Sequence, residues 1–130
     1  MDKDSLIKLL NYALQFEYSD VFLYPREAKE IKDEKIAKLF EEFGLMEVRH
    51  ADILAIRIAE LGGKPVWDFK LLSDLNDLKL ILERHLEYEN KAVNFYQNLI
   101  DQIDDQEIKI MLRGIKAEEE THRDKIKGLL

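Results

Sequence analysis

Two Glu-x-x-His motifs, at Glu47/His50 and at Glu119/His122, stand 72 residues apart in this 130-residue chain. On a helix, a spacing of three turns a carboxylate and an imidazole to the same side, about 60° apart. Two further glutamates, Glu17 and Glu89, are separated by the same 72 residues. Four carboxylates brought together inside a protein would each cost on the order of several kcal/mol, or would have to take up a proton, unless something cancels their charge. Two divalent cations cancel four glutamates, and two neutral imidazoles add nitrogen ligands without adding charge. Oxygen and imidazole donors of this kind suit iron and manganese alike.

All six residues interrupt apolar stripes with helical spacing. Helix A is predicted from about Ser5 to the high twenties, with the stripe Leu6, Leu10, Ala13, Glu17, Asp20, Tyr24. Pro25 sits late in it and is expected to kink or end it, because it removes a backbone donor. Helix B is predicted from Asp33, a plausible N-cap, to Gly62, with Ile36, Phe40, Phe43, Glu47, His50, Leu54, Ile58 and Leu61 on one face. Helix C is expected to start near Ser73 or Asp74 and carries Leu78, Leu82, His85, Glu89, Ala92, Tyr96, Leu99 and Ile103. Helix D starts near Asp105 and carries Ile108, Leu112, Ile115, Glu119, His122, Ile126 and Leu129. Four amphipathic helices of this length predict an all-α four-helix bundle in a single domain.

The offset of 72 is an internal repeat. It also superposes Leu14 on Leu86, Val21 on Val93, Tyr24 on Tyr96, Ile31 on Ile103, Asp33 on Asp105, Ile36 on Ile108 and Asp52 on Asp124, without a gap. The chain therefore reads as a duplicated helical hairpin, about 5–61 and 74–130. Glu17 and Glu47 lie equally far from the expected A–B turn near Lys32, so antiparallel helices bring them to one height. Glu89 and Glu119 straddle the C–D turn near Asp104 in the same way. One glutamate on each of two helices, with Glu-x-x-His on each of the other two, is the ligand set of carboxylate-bridged di-iron and di-manganese bundles.

Composition narrows the rest. Net charge is −7, and no basic stretch offers a phosphate footprint, which argues against nucleic acid. The absence of cysteine removes disulfides, thiolate zinc sites and iron–sulfur clusters. The polar N-terminus lacks a signal-peptide pattern, and no apolar run is long enough to span a membrane, so a cytoplasmic protein is expected.

Four segments, "ALQFEYSDVFLY", "EVRHADILAIRIAELGGKP", "LEYENKAVNFYQNLI" and "EEETHRDKI", carry a resemblance to the ferritin-like di-iron superfamily. Within it, the chain resembles bacterioferritin and the di-iron domain of rubrerythrin. The resemblance implies a bundle with a long B–C crossover and two iron ions, or manganese. It implies that Glu47 and Glu119 bridge the metals, that Glu17 and His50 complete one, and that Glu89 and His122 complete the other. Tyr24 and Tyr96, two turns beyond Glu17 and Glu89, would be redox-accessible tyrosines near the metals or ordinary core aromatics. Val48 replaces the haem-ligating methionine of bacterioferritin, so no haem is expected. The chain stops soon after helix D, so a 24-subunit shell is not expected either. Without cysteine there is no rubredoxin module, and an external electron-donor protein is implied. A homodimer is expected because the family commonly pairs its bundles.

Two polar stripe residues escape the repeat. The mate of Asp20 is Ala92, and the mate of His85 is Ala13. With a crossover connection, helices A and C would run antiparallel, and the two residues would lie about one turn from the metals at the same end. They would then meet as a supporting pair or proton relay; separately solvated side chains are the alternative. The connection "PVWDF" offers Val66, Trp67 and Phe69 to lie along the bundle or in a subunit interface. The expected activity is reduction of hydrogen peroxide or dioxygen, of the peroxidase or ferroxidase type. A di-manganese catalase-like or hydroxylase enzyme, and a metal-binding module without turnover, are the alternatives.

Overall fold

The computed structural model describes residues 1–130. It contains four helices and no strand: α1 (Lys3–Glu30), α2 (Glu34–Glu60), α3 (Leu78–Gln102) and α4 (Gln106–Leu129). They form two compact units, residues 1–74 and residues 75–130. No helix is long and apolar enough to cross a membrane.

In the first unit, α1 and α2 form a hairpin joined by residues 31–33. The turn is built by Asp33, whose carboxylate accepts hydrogen bonds from the backbone N–H groups of Lys35 (3.0 Å) and Ile36 (3.1 Å). These are two of the orphan donors at a helix start. Removing the carboxylate in Asp33→Ala should lower stability by about 1 kcal/mol, read from denaturant unfolding; no loss would mean that the turn is set by packing alone. Asp2 caps α1 in the same way, accepting from Ser5 N–H at 2.7 Å, and that bond holds its carboxyl below the usual carboxylate range. The stabilisation from this cap is present above the ordinary carboxylate pKa and is lost as pH falls through the lowered one.

The faces that meet within this hairpin are the sequence stripes. Leu10, Ala13, Leu14, Tyr24, Phe40, Leu54 and Ile58 are fully buried. Each large apolar side chain removed from water contributes about 1.5–3 kcal/mol. Pro25 does not end α1, which runs on to Glu30. Leu23, Tyr24, Glu27 and Ala28 on either side of it are buried, so packing holds the helix through the missing donor. Gly44 of α2 allows the approach: a Cβ there would stand 3.1 Å from the Pro25 ring.

α2 ends in a Schellman motif. Gly63 N–H donates to Ile58 O and Gly62 N–H to Ala59 O, both at 2.9 Å. Gly62 takes φ +86°, open to glycine without strain. The following segment, residues 61–77, then travels beside α1 in the direction of α1. Asn11 Nδ2 donates to Lys64 O (3.1 Å), and Val66 N–H donates to Asn11 Oδ1 (2.8 Å). Lys70 N–H donates to Ser19 Oγ (2.9 Å), and Arg26 Nη2 donates to Leu72 O (2.8 Å). From Asn11 to Arg26 the helix rises about 22 Å. This is the long crossover. Trp67 and Phe69 are edge-on to Tyr18, with ring centroids at 5.2 and 5.9 Å, so "PVWDF" is anchored on its own hairpin while remaining part-exposed.

α3 starts later than Ser73 or Asp74. Its N-cap is Asp77, whose side chain accepts from Lys79 N–H at 3.1 Å. Asp74 is instead held by Arg26, Nε to Oδ1 at 3.1 Å, as part of the connection. In the second unit, residues 103–105 join α3 to α4, and Asp105 caps α4 by accepting from Ile108 N–H at 3.1 Å. Its buried residues include Ile81, Leu82, Tyr96, Leu99, Ile108, Leu112 and Ile115. Leu129, placed on the stripe by its spacing, is exposed where α4 ends.

Candidate metal centre

The two turns fix the height of the acidic residues. Glu17 lies fifteen residues before Lys32, at the centre of the first turn, and Glu47 fifteen after it. Glu89 and Glu119 are placed identically about Asp104. Both glutamates of the first hairpin are inside, Glu17 at 1% exposure and Glu47 at 0%. His50, one turn beyond Glu47, is also at 0%. Its Nδ1 stands 3.5 Å from Glu17 Oε2 and 3.8 Å from Glu47 Oε2. These distances exceed those of a good hydrogen bond. They are near the separation of about 3 Å between neighbouring ligand atoms around one transition-metal ion. One potential ligand atom from each of the three residues lies within 4.8 Å of the others.

The second hairpin repeats the arrangement. Glu89 (1% exposed), Glu119 (1%) and His122 (3%) are buried, and they too offer ligand atoms within 4.8 Å of one another. Each hairpin thus presents two carboxylates and one imidazole. The formal charge of each triad with neutral imidazole is −2, which one divalent cation balances. A buried dicarboxylate held at this spacing fits a metal ion better than it fits any uncharged packing role.

The remaining candidates fall as follows. Tyr24 is fully buried on α1 and packs edge-on against Phe40 (5.2 Å) and Phe43 (5.5 Å). Tyr96 is fully buried on α3, with Phe95 at 5.7 Å. His85 is fully buried on α3, one turn before Glu89, whereas Asp20 on α1 is only half-buried. Sequence reasoning missed Glu27, which is 3% exposed on α1. Its signal was present: steps of three and four continue from Glu17 through Asp20 and Tyr24 to Glu27. Its repeat mate is the apolar Leu99.

An all-α chain with duplicated hairpins and a Glu/Glu/His triad in each has the architecture of the ferritin-like four-helix bundles. The ferritin-like domain model matches residues 7–130, and the chain belongs to that family. It is similar to a ferritin-like di-iron-carboxylate protein of Bacillus anthracis (26% identity, TM-score 0.93), covering 100% of this chain and 99% of that one. It is similar to Rhodobacter capsulatus bacterioferritin, a protein with a dinuclear site and a haem iron (27%, TM-score 0.88; 98% and 84% covered). It is also similar to a dodecameric thioferritin of Bacteroides fragilis (26%, TM-score 0.89; 98% and 85% covered). No curated protein sequence matches the chain.

Proposed function

We propose that this protein is a non-haem di-iron oxidoreductase that reduces hydrogen peroxide or dioxygen, in the manner of a rubrerythrin-type peroxidase or a ferroxidase. The observation that carries this reading is the pair of buried Glu/Glu/His triads at matched positions in the two hairpins. In the proposed centre, Glu17, Glu47 and His50 would hold one ion and Glu89, Glu119 and His122 the other. The bound irons would supply two electrons together to the oxidant. The chain's own part is to neutralise, position and protonate. Four glutamates balance two divalent ions, and a carboxylate can change between bridging and terminal modes as ion charge changes. Burial keeps bulk water from the layer.

Reduction of one peroxide to two waters takes up two electrons and two protons. Those protons must cross a buried layer. In this reading His85, buried one turn from Glu89, would pass them inward, and Asp20, half-buried one turn from Glu17, would collect them from solvent. Tyr24 and Tyr96 each stand two turns from a ligand and could take up an electron hole when reducing equivalents run short. Electrons come from a separate donor protein, and the working unit is a homodimer. The donor set accepts manganese equally well, which would favour catalase-like or hydroxylase chemistry.

Stopped-flow mixing of the anaerobically Fe(II)-loaded protein with peroxide or dioxygen tests the reading. Oxidation well above the rate of free Fe(II), with growth of a ferric absorbance, is expected. A protein that binds iron and oxidises it no faster than free iron is a metal-binding module instead.

A further inference from the structure

One flank of α4 is a ridge of charge opposite to that of the chain. Lys109, Arg113, Lys116, Glu120, Arg123 and Lys127 recur in steps of four and three, so they share a face. Each directly follows a residue of the buried stripe, which turns it about 100° round the helix from the core. α4 holds six cations and five acids in all; five of the six cations lie on this flank and only one of the five acids. The chain as a whole has net charge −7, so the ridge runs against the sign of its surroundings. Arg113 and Lys127 are exposed, and the other four are half-buried. Lys116 Nζ pairs with Glu120 Oε1 at 3.0 Å, and Arg123 Nε with Asp124 Oδ1 at 3.1 Å. Lys109, Arg113 and Lys127 make no ion pair. The internal repeat serves as a control. At the matching positions α2 carries Ala37, Glu41, Gly44, Val48, Ala51 and Ala55, with no cation among them and with Gly44, Ala51 and Ala55 buried. Hairpin geometry therefore does not call for basic residues on this flank.

We propose that this ridge is the docking surface for an acidic protein that carries one electron at a time and delivers it beside Glu119 and His122. The proposal rests on the oxidoreductase reading above and gives its separate electron donor a place on the chain. Position supports it. Glu119 and His122 lie midway along the ridge, directly before Glu120 and Arg123. A carrier seated there is separated from them by no more than the width of one helix, about 10–12 Å. Size supports it too. The ridge is about 27 Å long, so it presents roughly 300 Å² to a partner. That suits the small, short-lived contacts of electron-transfer pairs, which bury less than about 1,200 Å² in total. Charge supplies the selection. Three unpaired cations attract a partner's carboxylates, while the acidic remainder of the surface repels them and steers the partner onto the ridge. The electron count is consistent: one peroxide takes two electrons and two protons to give two waters. A one-electron carrier therefore docks twice per turnover and leaves oxidised each time, with the protons drawn from solvent.

Charge reversal at equal net charge tests the ridge. The full chain, metal-free and Fe(II)-loaded, is titrated calorimetrically with two acidic one-electron carriers, a flavodoxin and a plant-type ferredoxin, and with a short DNA duplex. It is compared with Arg113→Glu/Lys127→Glu on the ridge and with Lys8→Glu/Lys125→Glu away from it. Circular dichroism confirms that each is folded. The wild type should bind a carrier at low salt and release it at high salt, as exposed charges are screened. The ridge pair should weaken binding at least about tenfold, and the control pair by less than about twofold. In the Fe(II)-loaded protein supplied with peroxide, the ridge pair should raise the KM for the reduced carrier by a similar factor. Failure to bind either carrier, or an equal loss in both pairs of variants, overturns the docking surface. Tighter binding of the duplex than of the carriers overturns it in favour of nucleic acid, and an unchanged KM overturns electron delivery there. Binding is read in metal-free protein as well, so its failure leaves the oxidoreductase reading standing; that reading fails separately, in the stopped-flow experiment.

Discussion

Glu47→Gln should change stability in opposite directions according to whether metal is present. In the metal-free protein, Glu17 and Glu47 are both buried, with ligand atoms within 4.8 Å of each other. Like charges this close in a dry interior oppose folding unless one takes up a proton. Removing one of them should stabilise the fold by on the order of 1–4 kcal/mol, the range seen when buried charge is replaced by neutral groups of similar size. With metal the sign reverses. Binding to the native state alone contributes about 4 kcal/mol at a thousandfold excess over the dissociation constant. A glutamine cannot supply the anionic oxygen and should weaken binding by more than about a hundredfold, since even outer partners of metal ligands are worth 10–100-fold. Thermal melts with and without Fe(II), kept anaerobic, read both halves of the prediction. A variant that melts higher under both conditions would mean that these carboxylates do not serve a metal. Glu119→Gln should behave in the same way, because the second hairpin repeats the triad.

Phe40→Ala should cost about 3–5 kcal/mol, the ordinary price of emptying a large aromatic site in a packed core. Phe40 is fully buried, edge-on to Tyr24 at 5.2 Å and tilted against Phe43 at 6.2 Å. A domain of this size typically has 5–15 kcal/mol in hand, so the melting temperature should fall by about 10–20 °C. The same trio fixes Tyr24. If the tyrosine is redox-active, the variant should also change any tyrosyl radical signal, whereas a purely structural tyrosine would leave only the stability loss. A fall of less than about 1 kcal/mol would mean that the site refills by collapse and that the trio does not organise this end of the first hairpin.

The site was legible in the sequence because its parts obey a rigid metric. Helical rise, three-residue turns and a gapless repeat leave little freedom in where Glu17, Glu47, Glu89 and Glu119 lie along their helices. The capping aspartates Asp33 and Asp105 mark those turns in the residues themselves. The start of α3 was less legible because "SDLND" offers several caps and local chemistry does not rank them. A distant residue decides: Arg26 engages Leu72 and Asp74 and leaves Asp77 to cap. Pro25 misled in part for a related reason, since the buried residues around it keep α1 helical through a lost donor. Glu27 went unread because a carboxylate at the end of a stripe looks like the edge of solvent, and only burial distinguishes the two.

The central claim is that six side chains from four helices hold two cations. Its most direct test is the number of Fe(II) ions retained per chain after anaerobic equilibrium dialysis of protein first stripped of metal. The account predicts about two per chain, as the paired triads require. It predicts about one or fewer in Glu47→Gln, where a candidate carboxylate ligand is lost. Retention near zero in the wild type, or a count that the substitution leaves unchanged, would contradict it.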